Sequence, residues 1–84
     1  MDGQYRALTL DAFPNPNDGA FTVRSSAAGT LVLMDELGRV IYQTNLTTTM
    51  GLDHTFTNVS TGVYFVRCTT EQGIRTKRVV VVND

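Results

Sequence analysis

Two residues of this 84-residue chain, His54 and Cys68, are of the types that combine into a nucleophile and its base. A reactive thiolate needs a positioned base, an orienting third group and a partly exposed, electropositive pocket. Yet Cys68 follows Tyr64 and Val66 in alternation, and His54 lies between Leu52 and Phe56, so both fall on the inward register of apolar segments. A small buried cysteine and a histidine at a sandwich end account for that placement. Asn15, Asn17 and Asp18 ahead of Gly19 resemble a fragment of a calcium loop, but no closing glutamate follows at EF-hand spacing, and the same residues make a β-turn. Asp35, Glu36, Asp53 and Glu71 read as solvated carboxylates rather than an acid/base pair. Asn45-Leu46-Thr47 and Asn58-Val59-Ser60 have the form of glycosylation sequons, which is a short and common pattern. No catalytic site, cofactor or metal is expected.

Lys77 and Arg78 stand immediately before Val79-Val80-Val81-Val82, and two readings of them remain open. As gatekeepers, they keep an aggregation-prone edge strand from pairing indiscriminately. As part of a docking element, they lend side-chain specificity to a strand that a partner reads by strand addition.

These residues need elements to position them, and the pattern supplies only strands. Gly62 to Thr70 alternates Tyr64, Val66 and Cys68 with Val63, Phe65 and Arg67, the period of a strand covered on both faces, around which the rest must pack. Tyr5 to Asp11 reads as a first strand. The prolines of Phe13-Pro14-Asn15-Pro16-Asn17-Asp18-Gly19 forbid helix and give a stiff arm ending in a turn. Phe21 and Val23 mark a second strand, and Thr30 to Asp35, apolar on both sides, is expected centrally or beneath a covered patch. Gly38 turns the chain into Arg39 to Leu46, with Val40, Tyr42 and Leu46 expected on one face; Leu52, His54 and Phe56 mark a fifth strand. Glu71-Gln72-Gly73 makes a hairpin into the last strand, Ile74 to Val82. Its four successive valines specify a strand without saying which face is buried.

Seven short strands with turn signals between them and no helical period predict an antiparallel β-sandwich. Length allows one domain. At 42% hydrophobic residues the chain is too apolar to be disordered, and a net charge of -1 gives no footprint for nucleic acid. The single cysteine closes no intramolecular disulfide. Met1 onward lacks the basic and apolar regions of a secretory signal peptide. A Val-rich terminal strand at a sheet edge is also a template for pairing with a second copy, so a homodimer through that edge is a further expectation.

Four motifs in order, Phe13-Pro14-Asn15-Pro16 with Gly19 and Phe21, then Asp35-Glu36-Leu37-Gly38-Arg39-Val40, then Gly62-Val63-Tyr64, then Lys77-Arg78-Val79-Val80-Val81, resemble the C-terminal sorting domain of type IX secretion cargo in Bacteroidetes. The resemblance spans Phe13 to Val82 and implies an immunoglobulin-like (Ig-like) sandwich acting as an address rather than an enzyme. It implies residues 1–12 as linker and first-strand region and 13–84 as the sorting domain, in a single sandwich over 5–82. Matched position by position, Pro14, Asn15, Pro16 and Gly19 form an entry arm, Asp35, Gly38 and Arg39 a turn motif, and Gly62 and Tyr64 the central strand. Lys77, Arg78, Val79 and Val81 fall in the segment on which recognition by the secretion apparatus depends. Where many members end close to a basic residue, this chain continues with Val82, Asn83 and Asp84.

The partners so implied are an N-terminal passenger carrying its own signal peptide, the type IX translocon, and a sortase-like protease that removes the domain at the cell surface. The route implied runs through the periplasm and across the outer membrane. The alternative from the residues is an Ig-like adhesion or carbohydrate-binding accessory module. Such a module would favour an exposed aromatic platform, whereas the chain has no Trp and only three Tyr, with Tyr42 and Tyr64 expected to face inward.

Overall fold

The computed structural model describes residues 7–83, which form seven strands: β1 (Leu10–Phe13), β2 (Phe21–Ser25), β3 (Gly29–Asp35), β4 (Val40–Leu46), β5 (Asp53–Phe56), β6 (Gly62–Thr70) and β7 (Gly73–Val81). They make two antiparallel sheets, ordered β1-β2-β5 and β4-β3-β6-β7, consistent with an Ig-like β-sandwich. As the alternation requires, β6 is central, and its Val66 and Cys68 are fully buried. Phe21 and Val23 from β2, Leu31 and Leu33 from β3, Phe56 from β5 and Val79 and Val81 from β7 complete the core between the sheets. Phe21 and Phe56 stack across the β2–β5 pair with ring centroids 5.1 Å apart.

β3 is apolar on both sides because it is central: Leu31 and Leu33 face the core, while Val32 is buried on the opposite face beside β6. Gly29, at its start, permits the close approach of β6, since a Cβ there would run into the backbone carbonyl oxygen of Thr69.

Three expectations are corrected. The first described strand begins at Leu10 and runs to Phe13, because those residues, not the ones before them, register with Ser25 to Thr22 of β2; Tyr5 and Arg6 lie outside the described residues. In β4, Val40 is not on the face of Leu46. The register shifts between Leu33/Met34, which pair with Tyr42 and Val40, leaving Ile41 as the extra residue of a bulge. A bulge moves every residue beyond it to the other face. Val40 accordingly stands opposite outward-facing Met34, while Tyr42 points inward against His54 and Phe56 at the rim. Third, Val79 to Val82 is not an open edge: β7 is the last strand of its sheet, but its outer side is already hydrogen-bonded by the proline-containing arm.

Candidate functional site

The four valines of the terminal strand acquire their register from the arm. Asn15 Nδ2 donates to the Arg78 carbonyl at 2.8 Å, and the Val80 N–H donates to Asn15 Oδ1 at 3.0 Å. One side-chain amide thus imitates the peptide group of a neighbouring strand, spanning Val79. Asn17 continues the pairing with its backbone: its N–H donates to Val80 O at 3.0 Å and its carbonyl accepts from Val82 N at 2.8 Å, a parallel bridge to Val81. Pro14 and Pro16 have no N–H to offer, so the arm bonds only through the asparagines between and after them. The turn closes as Asn17 Oδ1 accepts from Gly19 N at 2.9 Å and Asn17 Nδ2 donates to Pro14 O at 3.3 Å. Gly19 has φ +118°, a conformation that side chains oppose, and its carbonyl accepts from Val59 N.

Tyr64 and Gly62 form a second device. The Tyr64 hydroxyl donates to the Ser60 carbonyl at 2.8 Å, four residues upstream, and the ring lies 3.4 Å from where a Cβ on Gly62 would be. That distance is ordinary van der Waals contact, and the hydroxyl reaching back to the backbone upstream is the arrangement of a tyrosine corner at the entry to a sandwich strand. Asp35, Gly38 and Arg39 form a third. Asp35 Oδ1 accepts from the N–H groups of Leu37 and Arg39, and Arg39 Nε donates to Oδ2 at 2.7 Å, while Gly38 takes φ +84°. These bonds, the Arg39 N–H first, hold the Asp35 carboxyl below its ordinary value of 3.8, against partial desolvation.

The three devices and the terminal strand converge. Asp35 pairs with Tyr64 and Tyr64 with Val79, whose far side is bridged by Asn15, so one transverse row joins all four sequence motifs. The neighbouring row runs Gly62, Val81, Asn17. Residues up to 64 positions apart in sequence are brought into one line at one end of the sheet.

Within the terminal segment, the four singled-out residues divide. Val79 and Val81 are 0% and 1% exposed and belong to the core. Lys77 and Arg78 are exposed, Lys77 on the side of Val66 and Arg78 opposite Phe65 on the outer face. Arg67 and Arg75 are exposed on the same two strands, so the β6–β7 edge is basic. The chain's last described residue is also fixed: Asn83 Nδ2 donates to Val59 O, and Thr61 Oγ1 accepts from Asn83 N and donates to Asn83 Oδ1 at 2.7 Å. Val82 and Asn83, unusual against the motif pattern, close the end of the sandwich. The sequence offered no signal for this anchor.

The other chemical candidates are placed apart. Cys68 is buried with its Sγ 3.6 Å from Ser25 Oγ, whereas the His54 ring packs on Tyr42 and Phe56. Asp53 pairs with Arg24 at 3.1 Å and Asp35 with Arg39, while Glu36 and Glu71 are exposed in turns, so the four carboxylates are not brought together as an acid/base pair.

A family model for the secretion system C-terminal sorting domain matches residues 11–82. The chain belongs to that family. The domain is thus a type IX secretion sorting signal, implying an attached N-terminal passenger and export to the cell surface or beyond. Searches of curated proteins and of solved structures gave no match. The matched span runs from the second residue of β1 to the residue after β7.

Proposed function

We propose that the end of β7, with the arm bound along it, is the surface the type IX translocon reads, and that the domain then leaves its passenger by sortase-like cleavage N-terminal to β1. The reading rests above all on one observation: the four motifs, scattered in sequence, meet in a single row at Val79. Lys77 and Arg78 supply exposed charge to the apparatus, while Val79 and Val81 hold the strand to the core in the register that the arm sets. In this account the passenger crosses the inner membrane on its own signal, and the folded domain is recognised in the periplasm. It does no chemistry itself.

The test is a fluorescent passenger with an N-terminal signal peptide fused ahead of the chain, expressed in a type IX host with and without Lys77 to Asp84. Surface delivery of the intact fusion and periplasmic retention of the truncated one are expected. Because truncation removes core valines, a Lys77→Ala/Arg78→Ala fusion, which leaves the core intact, is measured alongside. Retention of the intact fusion in a host that exports another cargo would overturn the reading.

A further inference from the structure

The sandwich has four edge strands, and they are not equally guarded. β1 and β5 are four residues each, too short to template much pairing, and β5 carries the charged Asp53, ion-paired to Arg24 of β2. β7 is bound by the arm at its end and carries Arg75, Lys77 and Arg78. β4 differs from all three. Its seven residues, Val-Ile-Tyr-Gln-Thr-Asn-Leu, contain no charge and no proline, two of the devices by which edges are kept from pairing; a third, a bulge, is present only at one end. Its bulge lies at the Val40–Ile41 end, so Tyr42 to Leu46 keep a regular register with β3 and a regular open side. Hydrophobic exposure is concentrated here as well. Of the eight large hydrophobic residues exposed among the described residues, Leu37, Val40, Ile41, Tyr42 and Met50 lie on β4 or its two flanking turns, each between 43% and 84% exposed.

We infer that the β4 edge is an interaction surface, and that the partner it fits is the β4 edge of a second copy, paired antiparallel about a two-fold axis. Antiparallel pairing over Val40–Leu46 sets uncharged residues against uncharged residues in any register. It brings the Leu37, Val40 and Ile41 end of one strand to the Leu46–Met50 end of the other, so that each copy covers the other's exposed apolar side chains. The nearest cation, Arg39, is already neutralised by Asp35, and a parallel pair would instead place the two Arg39 side chains together. The interface is isologous and closes at two copies, because a two-fold consumes both edges. One strand edge falls short of the ~800 Å² per partner typical of stable complexes. The dimer is therefore weak and concentration-dependent. Its site lies across the sheet from β7, leaving the terminal strand free.

Sedimentation velocity of the chain between about 10 µM and 1 mM, the affinity range of weak complexes, tests it. The expected result is a sedimentation coefficient rising from monomer toward dimer. Gln43→Lys, at an exposed position of the edge, is expected to move that rise at least about tenfold higher in concentration, since like charges face each other across the pair. Asn45→Lys gives a second probe of the same edge should the first fail to fold. Ile74→Lys, on the opposite edge strand, is expected to leave the rise unchanged. A wild-type chain that stays monomeric throughout overturns the inference, as does a dimer indifferent to both β4 substitutions or one abolished by Ile74→Lys.

Discussion

Replacing Asn15 by alanine isolates the contribution of the arm to the terminal strand. The substitution removes two hydrogen bonds, to Arg78 O at 2.8 Å and from Val80 N at 3.0 Å. A net ~0.5–1.5 kcal/mol applies to each such bond. Both lie at an exposed edge where water can take the vacated places, so the lower half of that range holds and the pair contributes about 1–2 kcal/mol. A domain of this length is stable by roughly 4–12 kcal/mol, so the variant stays folded. With a urea dependence near 1 kcal/mol per molar, its unfolding midpoint falls by about 1–2 M. The more specific readout is hydrogen exchange: the Val80 amide loses protection, while the Val66 amide in central β6 loses only what global stability loses. Asn15→Asp sharpens the test. Its carboxylate still accepts from Val80 N but sets an oxygen against the Arg78 carbonyl, so protection at Val80 survives better than in the alanine variant. A midpoint unchanged within a few tenths of a molar, with Val80 still protected in Asn15→Ala, would refute the clamp.

Gly29→Ala forces a Cβ into the Thr69 carbonyl, and overpacking of this kind costs about 1–3 kcal/mol; thermal unfolding is expected to drop by several degrees, and an unchanged midpoint would mean β3 and β6 part without cost. Tyr64→Phe removes only the hydroxyl bonded to Ser60 and is expected to cost about 1 kcal/mol in urea unfolding. The Asp35 carboxyl is held low in the fold, so the stability it adds is present above its ordinary value of 3.8 and is lost as pH falls through the lower folded value. Urea midpoints from neutral pH downward should therefore fall less steeply below pH 3.8 in Asp35→Asn than in the wild-type chain; equal slopes would contradict the assignment. Cys68 should resist alkylation in the native chain and react once urea unfolds it, and rapid native labelling would reopen a reactive thiol.

Strand positions were largely legible because alternation is local: β2, β3, β5 and β6 follow directly from Phe21/Val23, Thr30–Asp35, Leu52–Phe56 and Gly62–Thr70. The face of β4 was not, because the bulge at Ile41 is set by pairing with β3, a contact between strands that a periodicity in one of them does not carry. The burial of Val79 and Val81 was equally hidden. Four identical residues have no internal asymmetry, and their register comes from Asn15 and Asn17, more than sixty residues away. The motif residues were visible in sequence, but their meeting in one row was not, since it depends on three strand registers at once.

The central claim, that this domain is an export address read at its terminal strand, is tested most directly by the surface fraction of the fluorescent passenger fused to the chain carrying Lys77→Ala/Arg78→Ala. Both residues are exposed, so the variant's urea midpoint should match the wild type. The account predicts that the wild-type fusion reaches the surface while the folded variant accumulates in the periplasm. Equal surface delivery of both would contradict recognition at β7.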